Sequence, residues 1–320
     1  MRWFQAFVDA TTVFYDHLAA VRWTPLFVAL GLFFARTVLR TIAWRNILRA
    51  AYPATRVRWL PVFGAYVAGV GVNAIIPARV GDAVKVALAK QRIEGSSYAT
   101  VAATLIVETL FDFVVALVLF AWALWLGVLP GLHVLRQLPA VDWSWPLSHP
   151  RPAAVVGAVL LVVLIVAGIW TRRKVIAFWE RVRQGFAILR TPRRYLLHVV
   201  SWQAASWILR IASFVYFLRA FRLPATLHNA LLTQVVQSLS TLFPITPGGA
   251  GTEQGLLVYV FHGSLPATPL LSYSVGTKIA LTAFNVVLGF AVLALMVRTF
   301  SPRRALERSG GDEDGAGEPG

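Results

Sequence analysis

The apolar runs of this chain are long enough to cross a lipid bilayer several times, and that feature alone removes most soluble folds. A bilayer core of about 30 Å takes roughly 20 apolar residues in helical form. Runs of that order occupy 24–35, continuing past Arg36 to 44, then 60–78, 98–128, 153–170, 195–218 and 279–297. Backbone polar groups inside a bilayer must be satisfied by the protein itself, so such runs predict helices rather than open strands. Composition agrees: 58% of the 320 residues are hydrophobic and 14% charged, against about 25% charged in ordinary globular domains. The expected fold class is an all-α polytopic protein, multi-pass in the cell membrane.

The net charge of +16 does not require nucleic acid. The basic residues cluster in the short links between apolar runs, as the positive-inside rule demands. Links 45–58 and 172–194 read as cytoplasmic on that count, and 129–152, with only Arg136 and Arg151, as external. The chain has no cysteine, which excludes disulfides and thiolate metal sites. Residues 1–23 lack the pattern of a signal peptide and read as an amphipathic surface segment. One membrane domain then fills 24–300, and the acidic, Gly-rich 301–320 has a disordered composition.

The charge ruler conflicts with a simple crossing by 60–78. A crossing there would put Arg79, Lys85, Lys90 and Arg92 outside and 129–152 inside. The conflict disappears if about 60–92 enters and leaves on the cytoplasmic side. The run 225–262, broken at "FPITPGGAG", then dips in from the other side. The expected plan is an inverted repeat with two re-entrant hairpins, broken helices being tolerated where they line a wet cavity. A plain bundle whose kinks are packing features is the alternative.

The chemistry concentrates at these breaks. In "NAIIPARVGDAVK", Pro77 removes a backbone donor and Gly81 permits unusual φ. Asp82, or Gly81 before it, is placed to start a helix over 82–92 whose N-terminus attracts anions. Arg79 adds a guanidinium fork suited to phosphate. Asn73 either ties the bend together or faces a ligand. In the second break, Pro244 and Pro247 stop a helix, while Gly248, Gly249 and Gly251 let the backbone turn and approach a ligand. Thr252 is the expected N-cap, with Gly255 at the N3 place, and Glu253 lies in the first helical turn. Gln234, Gln237, Ser238, Ser240 and Thr241 make the entering arm polar, which suits a wet pathway.

Two carboxylates lie within a span. Thr104, Glu108 and Asp112 share one helical face at i, i+4, i+8. An Asp at the centre of a span costs about 2.5–3.5 kcal/mol on insertion scales, so both should face inward and meet cations. Arg79 and Arg210 are the expected partners, in a packing network or a proton relay. Arg36 and Arg40 lie within about three turns of the cytoplasmic edge and read as snorkelling. Lys278 and Asn285 either serve the second hairpin or are satisfied interface groups. The six histidines have no metal-ligand spacing, and neither a Ser–His–Asp nor a P-loop pattern occurs.

Three stretches resemble a known family, the membrane domain of lysylphosphatidylglycerol synthases with its stand-alone, flippase-like (UPF0104) relatives. They are "AWRNILRA", "NAIIPARVGDAVKVALAKQR" and "FPITPGGAGTEQGLLVYV". The second is similar to the family's Asn-x-x-x-Pro-x-Arg-x-Gly-Glu/Asp pattern, with Asp82 where Glu is commoner. The third follows Pro-x-x-Pro-Gly-Gly-x-Gly-x-x-Glu. The family's Glu-Arg pair in the next span reads Glu108-Thr109 here. The resemblance implies a lipid-handling domain and carries importance onto Asn73, Pro77, Arg79, Gly81 and Asp82, and onto Pro244, Pro247, Gly248, Gly249, Gly251 and Glu253. No aminoacyl-transferase domain follows residue 300, so synthesis of the lipid by this chain is not expected.

The expected function is translocation of a phosphate-bearing lipid, phospholipid or polyprenyl-linked, without catalytic residues or a cofactor. Asn73, Pro77, Arg79, Gly81, Asp82, Arg210, Gly248, Gly249, Gly251, Thr252 and Glu253 form the expected headgroup site. Glu108 and Asp112 form the charge network or relay. The main rival is an accessory subunit that presents lipid to a separate membrane transferase. A weaker third reading is an intramembrane transferase with Glu108 or Asp112 as base.

Overall fold

A computed structural model of the chain describes residues 21–76, 80–127, 172–242 and 251–298. Among them the ordered elements are helices: α1 Trp23–Ala51, α2 Trp59–Ile75, α3 Val80–Arg92, α4 Tyr98–Trp125, α5 Arg172–Gly185, α6 Ser201–Ala220, α7 Leu227–Leu242, α8 Thr252–Val260 and α9 Ala267–Arg298. A 3₁₀ turn, Ala187–Arg190, a single helical turn, Pro192–Tyr195, and a π-turn, Leu196–Val200, lead into α6. The expected span 153–170, the external link from residue 128 on, the N-terminal segment up to residue 20 and the acidic tail lie outside the described residues.

Local chemistry sets the boundaries. Pro53 follows the end of α1, and the residue before a proline is pushed out of the α region; Tyr52 sits at φ −126°, ψ 69°. Ser97 caps α4, its side chain accepting from Thr100 N at 3.1 Å. Thr226 does the same ahead of α7, accepting from Asn229 N at 3.1 Å.

Three described helices are long and apolar enough to span a membrane: α1, α4 and Ala267–Met296 of α9. Their apolar side chains point outward. Ile106, Phe113, Leu117 and Val118 of α4 are exposed, as are Ile279, Val287 and Phe290 of α9. Only 6% of the most apolar window of α9 is buried among the described residues, the exposure expected of a helix that faces lipid. Helix α6 has the expected length but falls outside this set, because Gln203, Ser206, Arg210, Ser213 and Arg219 dilute its hydropathy. Its polar residues turn inward: Gln203, Ser206 and Ser213 are buried while Ile208 is exposed. That inversion of the soluble pattern is how a membrane bundle shelters polar groups.

Helices α1 and α6 pack along one another and form the wall against which both hairpins lean. One apolar cluster joins the C-terminal half of α1 to α2 and α3 through Trp44, Val62 and Tyr66. Another joins the start of α1 and the end of α6 to α7, α8 and α9 through Phe217, Leu257 and Tyr273. Helix α9 crosses α2 at Gly71 and Gly289, where a Cβ on Gly71 would lie 2.8 Å from the Gly289 Cα. The basic helix α5 is held beneath the bundle by Gln184, whose Nε2 donates to Ala51 O at 2.8 Å, while Phe178 and Trp179 stay exposed.

The glycine crossing gives a stability test. Gly71→Leu should lower the melting temperature of the detergent-solubilised protein by several degrees, since overpacking costs about 1–3 kcal/mol. Gly31→Leu, where an added Cβ meets nothing within 4 Å, is the neutral control.

Candidate functional site

The first hairpin is locked by Asn73. The α2–α3 turn places Asn73 beside the start of α3, where its Oδ1 accepts from Gly81 N at 2.7 Å. Its Nδ2 donates to Asp82 Oδ1 at 3.2 Å, and Lys85 Nζ donates to the same oxygen at 2.9 Å. Gly81 is needed for this closure, because a Cβ there would meet Gly69 O and the Asn73 side chain. Helix α3 starts at Val80 rather than at the expected 82, so Asp82 occupies the first turn and is not the N-cap. The Gly81 N–H, expected to be free for an anion, is already satisfied by Asn73. Pro77 and Arg79 lie outside the described residues.

In the second hairpin, α8 also begins earlier than its sequence suggests. Gly251, at φ 87°, is the N-cap, Thr252 is the first helical residue, and Gln254 rather than Gly255 holds the N3 place. Gln254 Oε1 accepts from Gly251 N at 2.7 Å, the half of a capping box that a glycine cap allows. Glu253 faces α9, with Lys278 Nζ 3.7 Å from its Oε2. Pro244, Pro247, Gly248 and Gly249 lie outside the described residues.

The two hairpins meet at a cavity of about 270 Å³, near the lower end of small-ligand sites. Helix α2 contributes Asn73, α7 contributes Gln237, α8 contributes Glu253, and α9 contributes Thr277, Lys278, Thr282 and Asn285. Seven of the ten lining residues are polar, in a region bordered by lipid-facing helices. The hydroxyl of buried Thr277 has no hydrogen-bond partner among the described residues. Such a surface suits a polar group that brings its own donors and acceptors.

Behind the cavity lies a cluster of buried charges. Thr104, Glu108 and Asp112 share one face of α4, as the spacing predicts, but their cation is Arg40. Its Nε donates to Glu108 Oε1 at 2.8 Å, its Nη2 also pairs with that oxygen, and Nη2 lies 2.7 Å from Asp112 Oδ2. Trp207 Nε1 donates to Asp112 Oδ1 at 2.7 Å, Gln203 Nε2 to Glu108 O at 2.6 Å, and Trp44 Nε1 to Thr104 Oγ1 at 3.1 Å. Arg40 is only 6% exposed and does not snorkel. The expected partner Arg210 instead donates from Nη2 to Gln237 Oε1 at 3.0 Å, with its guanidinium 5.0 Å from the Trp207 ring.

The structure therefore brings Asn73 and Glu253 to one cavity, ties Gly81 and Asp82 to it through Asn73, and joins Arg210 to it through Gln237. Gly251 and Thr252 form the start of α8, beside the cavity rather than in its lining. Arg40 is the residue that reading the sequence missed. The signal was the pair of carboxylates on one face of α4, which gave a nearby arginine reason to stay inside.

This is an all-α membrane protein whose interior holds a polar cavity between two helical hairpins. The chain belongs to the family described as the lysylphosphatidylglycerol synthase TM region, which matches residues 3–289. Comparisons with curated proteins and with solved structures returned no match. Membership places the chain among membrane proteins related to lipid handling.

Arg40→Gln should destabilise the protein by about 3–5 kcal/mol, because it leaves buried Glu108 and partly exposed Asp112 without their cation. Pairing it with Glu108→Gln should recover part of that loss, read as a positive coupling in a double-mutant cycle of unfolding in detergent.

Proposed function

We propose that this chain is a translocase of the cell membrane that moves a phosphate-bearing lipid between leaflets and catalyses no covalent step. The observation that carries the reading is the cavity shared by Asn73 of the first hairpin and Glu253 of the second, with Lys278 and Asn285 of the last span. A headgroup held there would exchange water for fixed amides, hydroxyls and a Glu–Lys pair while its acyl chains remain beside the lipid-facing helices. If the hairpins are re-entrant from opposite sides, each offers the cavity to one leaflet, which is the alternating-access plan of repeat-built transporters. Arg79, in the connection whose flanks Asn73 holds together, would meet the phosphate at the cytoplasmic approach. The lipid is a phospholipid or a polyprenyl-linked glycan, since both present the same phosphate chemistry. Family membership supports a lipid substrate.

The test is translocation of fluorescent phospholipids in proteoliposomes, read by loss of signal to an external quencher. Wild type should exceed empty liposomes, and Asn73→Ala, Glu253→Gln and Arg79→Ala should each slow movement at least tenfold while the protein remains folded. Absence of movement by the wild type with several anionic lipids would favour an accessory subunit that presents lipid to a separate transferase.

A further inference from the structure

The charges clustered behind the cavity do not balance. Arg36, Arg40 and Arg210 supply three guanidinium groups and Glu108 and Asp112 two carboxylates, all within electrostatic reach of one another. Neighbouring charges do not correct the excess, because Asp82 is paired with Lys85 and Glu253 with Lys278. Among the described residues the cluster keeps one positive charge.

That charge sits deep. Arg36 is one residue from the centre of the 29-residue α1 and Arg210 lies at the centre of the 20-residue α6. Glu108 and Asp112 lie within about one turn of the centre of α4. Both carboxylates are taken by Arg40. Among the described residues Arg36 has no carboxylate ion pair and its buried Nε no hydrogen-bond partner, while its guanidinium lies 5.4 Å from the Phe33 ring. Arg210 has a neutral amide, Gln237, and the faces of Trp207 and Phe214 at 5.0 and 5.9 Å. Ring faces and an amide stabilise a cation without neutralising it. An unneutralised arginine at this depth costs about 2.5–3.5 kcal/mol on insertion scales. The planar fork of a guanidinium matches a phosphate in two-point contact.

We propose that Arg36 and Arg210 form a binding site for the phosphate group of a lipid, with the bound anion completing the charge balance of the cluster. Gln237, which touches Arg210 and lines the cavity, joins this site to the cavity. The inference deepens the lipid reading given above and rests on it. Arg40 is a positioning residue here, since its donors hold Glu108 and Asp112 and leave the other two guanidiniums to the ligand.

The test is equilibrium binding to the full chain in maltoside detergent, which carries no phosphate. The probes are dihexanoyl-phosphatidylglycerol, dihexanoylglycerol with the same acyl chains but no phosphate, and inorganic phosphate. The phosphatidylglycerol should bind at least tenfold more tightly than the dihexanoylglycerol, and Arg36→Gln or Arg210→Gln should each remove that advantage. Empty Arg36→Gln protein should melt at or above the wild-type temperature, because a largely sheltered cation without a carboxylate partner among the described residues has gone. Unchanged phosphatidylglycerol affinity in both variants overturns the proposal. A clearly lower melting temperature of empty Arg36→Gln also overturns it, since the guanidinium would then already be balanced within the protein. Inorganic phosphate binding as tightly as the lipid, and lost in the same variants, supports the anion site but assigns it to a free anion. Because the readout is binding, a chain that binds without translocating defeats only the translocase reading. A chain that translocates with its Arg36 and Arg210 variants binding normally defeats only this site.

Discussion

The contact on which the rest of the structure depends is Arg40 between Glu108 and Asp112. It fastens α1 to α4 near the middle of both helices, and Trp207 and Gln203 extend it to α6. Taking three charges out of water is costly, and their mutual attraction offsets that cost only when geometry is good and remaining donors and acceptors are met. Here the carboxylates also accept or adjoin donors from two tryptophan-bearing helices, so the group holds one arrangement. The arrangement fixes the wall made by α1 and α6. Without that wall neither hairpin would have a rigid partner, because hydrophobic burial gives little drive to association inside lipid.

From the wall outward, the cavity is a consequence of how α2 meets α9. The two helices touch at Gly71 and Gly289, where backbone lies against backbone. Asn73 and Asn285, on the same two helices, line the cavity close by. A close crossing at one point and polar side chains beside it leave space that apolar residues would have filled. The cavity is thus built by placing small residues at the crossing and hydrogen-bonding residues next to it. Asn73 has both duties, since the same side chain closes the α2–α3 turn and faces the space.

The sequence made some of this legible and hid the rest for physical reasons. Span length and apolar content are properties of a local window, so α1, α4 and α9 could be placed by counting residues. The turn into α8 was legible because Gly251 takes a positive φ of 87° that glycine adopts without strain. The shared face of Thr104, Glu108 and Asp112 followed from helical period. Partner choice did not, because depth and tertiary neighbours decide it: Arg40 lies near enough to the cytoplasmic edge for snorkelling to be the simpler reading, yet the acidic face of α4 holds it inside. Helix starts slipped by a residue or two for a related reason. A side chain from elsewhere, Asn73, satisfies Gly81, and Gln254 reaches back to Gly251, so neither Asp82 nor Thr252 is needed as a cap.

The distribution of charge separates a passage from a trap. A site that releases what it binds must replace water well enough to admit a headgroup and weakly enough to let it go. On the proposed reading the cavity suits that condition: among the described residues its ion pair, Glu253 with Lys278, is long at 3.7 Å, and the rest of its polar lining is amide or hydroxyl. The tightly bonded charges lie behind it, around Arg40. Between the two stands Arg210, tied to the cavity by its hydrogen bond to Gln237 and to the cluster through the face of Trp207, which donates to Asp112. On the proposed reading, a guanidinium so held exchanges its amide contact for a phosphate without disturbing the ion pairs that keep α1, α4 and α6 together. Binding and structural integrity, on that same reading, fall to different arginines, which is what a membrane protein needs if its ligand is to come and go.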